Sequence, residues 1–221
     1  MKMKTLCILI ISFIPTIPLT VSADDSSKTY FSAGVMNMTN SALDVLQHNS
    51  GVTIDDSDTV AHFSLGYKIS PSLALEGGII SGGKVSAASL SANSSGTLYG
   101  KAYSNTGAVS VEAKADSSYL LGLKYSGGSG PLSFNIKAGQ LFWDVNYASA
   151  SGTLTYDGSA YSSTTFLEVD GSDPYIGLGL SYEISKNTSL AFDYISTAST
   201  NQIEGVAIDL NGYSISWLRN F

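Results

Sequence analysis

The chain has 221 residues, of which 43% are hydrophobic and 13% charged, and its 18 acidic and 11 basic residues give a net charge of −7. This length suits a single domain, and the acidic balance excludes the basic surface by which proteins bind nucleic acid. The one cysteine, Cys7, lies near the N-terminus. Disulfides and thiol chemistry are therefore not expected in the rest of the chain.

The first 23 residues are typical of a signal peptide. Two lysines precede an apolar run from Leu6 to Ile14, and Val21-Ser-Ala23 is a small-residue cleavage signal. The alternative is a transmembrane anchor, but the run is only about half as long as a membrane-spanning helix. We therefore predict a cleaved signal peptide at residues 1–23 and an exported domain at residues 24–221.

Eight segments of the exported domain alternate apolar and polar side chains with the period of a β-strand. Successive side chains of a strand point to opposite faces, so each segment has one apolar face. In chain order the segments are about Thr29–Met38, Asp58–Ile69, Leu73–Ser81, Ser117–Tyr125, Leu132–Phe142, Tyr175–Ile184, Leu190–Tyr194 and Gly212–Phe221. No apolar run is long enough for a membrane-spanning helix, so the pattern predicts strands that cross a membrane.

The last segment has the clearest division between its faces. One face carries Tyr213, Ile215, Trp217 and Phe221, and the other carries Gly212, Ser214, Ser216 and Asn220. The first face suits lipid and the second suits water, which is the arrangement in a transmembrane β-barrel.

The predicted connections alternate between short and long, as in a single-chain outer-membrane barrel. The short ones are rich in turn formers and are expected on the periplasmic side: Ser70–Ser72, Ser126–Pro131 and Ser185–Thr188. The long ones are expected outside the cell: Thr39–Ser57, Gly82–Asp116, Asp144–Pro174 and Ala198–Leu210. Alternation within two of the long ones predicts hairpins above the membrane. The predicted fold is all-β, an eight-stranded antiparallel up-and-down transmembrane β-barrel.

Three segments resemble the transmembrane domain of the OmpA family, namely Tyr67–Gly78, Asp173–Tyr182 and Trp217–Phe221. The layout is most similar to that of the small OmpX and Ail type barrels. The resemblance implies a Gram-negative outer-membrane protein that contacts membrane lipid and lipopolysaccharide. It also implies that periplasmic chaperones and the barrel-assembly machinery handle the chain, and that the latter reads the aromatic face of the last strand. Because the sequence ends at Phe221, the cell-wall-binding domain of OmpA itself is not expected.

The inward face of the predicted barrel carries six charged residues, Lys68, Glu76, Lys124, Lys137, Glu183 and Asp193. An eight-stranded barrel is just wide enough for its own side chains, so buried charges there must pair or form hydrogen bonds. We predict a filled, salt-bridged lumen, and the alternative is a narrow gated channel for ions or small solutes. In the family that the chain resembles, an interior carboxylate matches Glu76, but Ala191 stands where an interior arginine is expected.

No motif predicts catalysis or a cofactor. Only two histidines occur, His48 and His62, and the acidic residues of the loops lack the spacing of a calcium loop. Serine, histidine and aspartate show no distinctive spacing, and such sites depend on geometry. We therefore expect neither metal nor enzyme activity, with a lipid A-modifying enzyme as the second alternative. Loops on a rigid scaffold commonly bind ligands, so the predicted role is structural or adhesive, with an extracellular ligand of the loops.

Overall fold

The computed structural model describes residues 28–40, 52–197, 202–203, 206–207 and 209–221. The predicted signal peptide and His48 lie outside these residues. In the described part no helix is long and apolar enough to cross a membrane. Its strands are β1 (Thr29–Asn40), β2 (Val52–Asp55), β3 (Ser57–Lys68), β4 (Leu73–Ile80), β5 (Gly83–Leu90), β6 (Ser95–Leu98), β7 (Lys101–Ser104), β8 (Val109–Ala115), β9 (Ser118–Ser129), β10 (Leu132–Ser151), β11 (Thr153–Tyr156), β12 (Ser159–Ser162), β13 (Thr165–Ser185), β14 (Thr188–Thr197), β15 (Gln202–Ile203), β16 (Val206–Ala207) and β17 (Leu210–Asn220).

Eight of these strands form a closed antiparallel ring. The order is β1, β3, β4, β9, β10, β13, β14 and β17. β17 pairs with β1, so the last strand closes the ring against the first, and β10 pairs with β13. The prediction of an eight-stranded antiparallel barrel is confirmed.

The strands are strongly staggered around the ring. Cross-strand partners followed from Thr29 through each strand in turn lead back to Thr39, ten residues further along β1. A closed sheet needs such a stagger because its strands tilt, typically by about 35–45° from the barrel axis. The resulting interior is just wide enough to be filled by side chains.

The outer face of the ring is a continuous apolar band. The predicted outward residues of every barrel strand are exposed or partly exposed, among them Val35, Leu65, Leu123, Ile136, Leu178, Phe192 and Ile215. Aromatic side chains border the band at the end with the short turns, as Tyr67, Tyr125, Tyr182 and Trp217, and at the opposite end, as Tyr119, Phe142, Tyr194 and Tyr213. Aromatic girdles of this kind flank the lipid-facing band of transmembrane barrels.

The inner face has two layers. The half near the short turns is polar and contains Ser32, Glu76, Lys124, Lys137, Asp193 and Ser216. The other half is apolar and contains Met36, Val60, Ile80, Leu120, Leu141, Trp143 and Ile195. The apolar layer therefore lies between the polar layer and the end of the barrel opposite the short turns.

A second β-structure continues from the apolar end of the barrel. β10 has 20 residues and β13 has 21, whereas a strand crosses a membrane with about 9–11. The prediction ended the fifth segment at Phe142 and began the sixth at Tyr175, but the strands run to Ser151 and from Thr165. The difference arises because inward apolar residues such as Val145 and Tyr147 continue the alternation beyond the lipid-facing band.

We call this structure the extension, and it comprises β2, residues 83–115 and residues 144–173. β8 pairs with the far half of β10, β5 pairs with β8, and β2 pairs with β5. A small sheet of β12, β11, β7 and β6 completes it. Its core, which includes Leu98, Tyr99, Val111, Tyr147 and Leu154, belongs to the same cluster as the upper lumen. Barrel and extension therefore share one hydrophobic core.

Candidate functional site

The polar half of the lumen contains a buried ion cluster centred on Lys137. Its Nζ lies 3.0 Å from Glu76 Oε1 and 3.2 Å from Asp193 Oδ2. The hydroxyl of Tyr30 donates a hydrogen bond of 2.6 Å to Glu76 Oε2. One ammonium group therefore pairs with two carboxylates from different strands, which joins β10 to β4 and β14 across the barrel.

Glycines make the room that this cluster needs. Glu76 is the cross-strand partner of both Gly66 and Gly122. The ring of Tyr30 lies over Gly66, where an added Cβ would be 2.0 Å from the aromatic carbons. A Cβ on Gly179 would be equally close to the carboxylate of Asp193. Glycine is therefore required at these positions, because the side chains of the cluster lie directly against the backbone.

Lys124 is the fourth charged member of the cluster. It is buried, and its Nζ lies 5.0 Å from the centroid of the Tyr30 ring. A cation at this distance from the ring face is attracted by the aromatic quadrupole. Tyr30 therefore bridges the cluster, because its hydroxyl contacts Glu76 and its ring faces Lys124.

Four of the six predicted lumen charges come together, and two do not. Glu76, Lys124, Lys137 and Asp193 form the cluster, whereas Lys68 is half-buried near the short-turn rim and Glu183 is exposed at the end of β13. Sequence reasoning missed Tyr30. Tyr30 is two residues from the inward Ser32, so the alternation of the strand places both on the same face. That spacing could have identified Tyr30.

Above the cluster, the apolar layer of the lumen surrounds a polar pair. The Trp143 indole donates a hydrogen bond of 2.6 Å to Asp173 Oδ2, and both side chains are fully buried. Asp173 falls within the predicted long connection Asp144–Pro174, but it lies on β13 and is buried. Asp173 therefore belongs to the apolar layer of the lumen and not to the outer surface.

The residues of the predicted assembly signal occupy one face. Tyr213, Ile215, Trp217 and Phe221 are all exposed on the outer side of β17. Tyr213 stacks against Phe192 and packs on Tyr194 of the neighbouring strand. These contacts make the closing strand part of the aromatic girdle.

Among the described residues, possible metal ligands are not grouped, and the histidine is buried. No group of three or more histidine, cysteine or acidic side chains is placed to hold a metal ion there. His62 is buried in the lumen, and its Nδ1 has no hydrogen-bond partner among the described residues. An oriented base next to a nucleophile, which covalent catalysis needs, is not formed at His62.

Several solved structures share the fold. Neisserial surface protein A superposes with a TM-score of 0.56 at 14% identity, over 87% of this chain and 97% of that protein. The outer membrane protein OprG of Pseudomonas aeruginosa gives a TM-score of 0.52 at 14% identity, over 88% and 96% of the two chains. Ail, the attachment invasion locus protein of Yersinia pestis, gives 0.50 at 9% identity, over 89% and 99%.

No protein-family model matches the chain, and no curated protein matches its sequence. The likeness to solved structures therefore rests on architecture, and it agrees with the closed ring of eight strands described above. The chain has the fold of the small outer-membrane β-barrels.

Proposed function

We propose that the protein is an integral outer-membrane barrel with a closed lumen, which presents the extension outside the cell as a ligand-binding structure. The observation that carries the proposal is the length of β10 and β13, which are about twice as long as a membrane crossing requires. The surplus length is folded around a core rather than left as loops. A rigid scaffold of this kind is where binding function is commonly found.

The apolar band and its two aromatic girdles support the membrane location. Lipid would surround the band, and lipopolysaccharide would surround the base of the extension. The short turns and both ends of the ring, at Thr29 and Asn220, lie together at the opposite end. In single-chain outer-membrane barrels the short turns face the periplasm. The extension is therefore on the outer side, and the exposed aromatic face of β17 is available to the barrel-assembly machinery during insertion.

An epitope-tag experiment tests the location and orientation together. Gly107 in the extension and Gly130 in a short turn are both exposed and lie between strands, where insertions are commonly tolerated. We expect antibody to label intact cells with the tag after Gly107, and to label the Gly130 protein only after the outer membrane is permeabilised. The reverse pattern, or absence of the protein from outer-membrane fractions, would contradict the proposal.

The two-layered lumen supports a closed barrel. A channel would have to open both the Lys137 cluster and the apolar layer around Leu141 and Trp143. We expect no sustained conductance from the purified protein in planar bilayers. Sustained conductance that Glu76→Gln abolishes would favour the alternative of a gated channel.

We also propose that the barrel has no catalytic role in the membrane. His62 is enclosed by the barrel wall, where lipid A and extracellular substrates have no access. Mass spectra of lipid A should be identical in cells with and without the protein. A modification that disappears with His62→Ala would favour the enzyme instead.

Binding at the cell surface is the role that remains for the extension. The relative named for attachment and invasion, Ail, has been crystallised with the heparin analogue sucrose octasulfate. The present chain has a net charge of −7, and its described extension contains three lysines, each in an ion pair. A surface of this charge favours a ligand that is not a polyanion.

A further inference from the structure

A cleft of about 220 Å³ opens on the surface of the extension. Its wall is aromatic, with Tyr99, Tyr156, Tyr161 and Phe166, and Leu167 completes it. An ion pair between Lys101 and Asp157 lies at its edge. The cleft is thus apolar inside and polar at the mouth, which is the usual composition of a small-molecule site.

The aromatic wall is preorganised around Phe166. The centroid of its ring is 5.0 Å from that of Tyr156 and 5.8 Å from that of Tyr161, with interplanar angles of 50° and 57°. Tyr156 and Phe166 are buried, whereas Tyr161 is partly exposed. Tyr156 is fixed further by a hydrogen bond of 3.2 Å from its hydroxyl to the carbonyl of Leu98. Tyr161 therefore offers an accessible ring surface, and the buried ring of Phe166 supports it from behind.

A β-bulge creates this wall. On β13, Leu167 pairs with Tyr147 and Thr165 pairs with Ala148, so Phe166 has no partner on β10. The extra residue turns Phe166 inward toward Tyr156 and Tyr161. Bulges of this kind commonly redirect a side chain next to a functional site.

Two of the tight turns at the cleft have unusual backbone angles. Tyr99 has a φ of 51° and Asp157 a φ of 48°, and each is followed by a glycine that also has positive φ. Asparagine, aspartate and glycine are the residues that suit such two-residue turns. A positive φ is energetically unfavourable for the tyrosine at position 99, and the buried ring of Tyr99 lines the cleft. Strain retained in this way is frequent at ligand sites.

The mouth of the cleft offers both signs of charge. Lys101 Nζ lies 2.6 Å from Asp157 Oδ2, and both side chains remain about half exposed to solvent. The ammonium donates and the carboxylate accepts hydrogen bonds, so together they satisfy both functions of a hydroxyl group. Because the two charges cancel, the site has no net attraction for an anion or a cation.

We propose that this cleft binds one ring of a neutral sugar. The volume is below that of typical drug-sized pockets, so it holds a single ring. The C–H groups on the face of a sugar pack against the negative face of an aromatic ring such as Tyr161. Hydroxyl groups on the sugar's edge reach Lys101 and Asp157. This inference rests on the proposed function, because the extension must face the exterior to meet a glycan.

The test uses the full-length barrel in detergent micelles and a microarray of neutral oligosaccharides, followed by calorimetry with the strongest neutral glycan. Tyr161→Ala should weaken that glycan's binding about tenfold or more, since it removes the stacking surface. Tyr161→Phe, which keeps the ring, should bind nearly as the wild type does. Asp157→Asn keeps the turn geometry and should weaken binding about tenfold, because it removes a charged acceptor.

The matched control is Asp55→Asn. Asp55 forms an exposed ion pair of 3.2 Å with Lys84, outside the cleft, and its loss should leave glycan affinity unchanged. Unaltered heat-dependent electrophoretic mobility would show that each variant is folded. Absence of any neutral ligand, equal binding by all variants, or preferential binding of sucrose octasulfate would overturn the sugar site. The epitope result at Gly107 is independent, so the sugar site can fail while the proposed surface display stands.

Discussion

Lys137 is the residue on which the polar layer of the lumen depends. Its ammonium lies within 3.2 Å of two buried carboxylates, those of Glu76 and Asp193. Lys137→Met should destabilise the folded barrel by about 3–5 kcal/mol, since removal of one partner leaves buried charge uncompensated. Urea unfolding in lipid vesicles measures the effect.

Lys114→Met is the control for this prediction. Lys114 pairs with Glu112 on the surface, where its side chain is more than half exposed. An exposed pair contributes about 0–1 kcal/mol, so this variant should unfold close to the wild type. Equal unfolding free energies for the two variants would mean that the buried cluster does not stabilise the barrel.

Alternation in the sequence predicts the face of a residue but not its depth. It assigned Glu76, Asp193 and Glu183 to the same inner face, although the first two are buried and Glu183 is exposed. Glu183 is in fact at the short-turn rim, where β13 is interrupted by an irregularity before Ser185. Depth follows from the ten-residue stagger of the ring, and pairing register between strands is not contained in the pattern of a single strand.

β10 shows that a strand can continue beyond the edge of the lipid-facing band. Outward residues change from apolar to polar at Asp144 and Asn146, and this change predicts the end of the lipid-facing band. Inward residues remain apolar at Val145 and Tyr147. The strand therefore continues to Ser151, supported by β8 on one side and β13 on the other.

Tyr99, in the two-residue turn between β6 and β7, places its side chain in the core of the extension. The hydroxyl groups of Tyr99 and Tyr147 contact each other, and their rings meet edge to face at 5.3 Å. Burial raises the pKa of Tyr99 to about 12, and burial together with Tyr99 raises the pKa of Tyr147. Both phenols are therefore neutral in the folded extension at pH values where an exposed tyrosine ionises.

This pair makes the extension sensitive to alkali. A folded-state pKa above the unfolded value of 10.0 gives stability that is complete below pH 10 and is lost as the pH rises through about 12. We expect the near-UV circular dichroism of the extension to disappear over this interval. Tyr147→Phe should reduce the pH dependence, because it leaves one buried phenol in place of two. Ionisation of all tyrosines near pH 10 without structural change would contradict the prediction.

The outer and inner faces of the barrel wall should differ in their tolerance of a charged substitution. Leu178 is 55% exposed on the lipid-facing band near the middle of its span, whereas Ser181 on the same strand points inward. Leu178→Arg should cost about 2–4 kcal/mol in lipid vesicles, because the side chain enters hydrocarbon. The cost of Ser181→Arg should instead depend on how the larger side chain packs near the rim. Equal costs in refolding assays would contradict the assignment of faces.

The barrel could be predicted from sequence, whereas most of the extension could not. Each barrel strand pairs with the strands next to it along the barrel part of the chain, so periodicity and short turns suffice to order them. The small sheet joins β7 to β11, which are about 50 residues apart in the sequence. The cleft depends on that pairing and on the bulge at Phe166, and neither has a local sequence signature.

The extension has few lysines, and all of them lie in strands. Lys84, Lys101 and Lys114 are its only lysine or arginine residues, and residues 41–51 and 198–208 contain neither type. All three lie within paired strands, and each holds a carboxylate within 3.2 Å. Trypsin cleaves after basic residues, and proteases prefer exposed loop tips. Trypsin should therefore leave the folded extension intact, because none of its lysines lies on a loop.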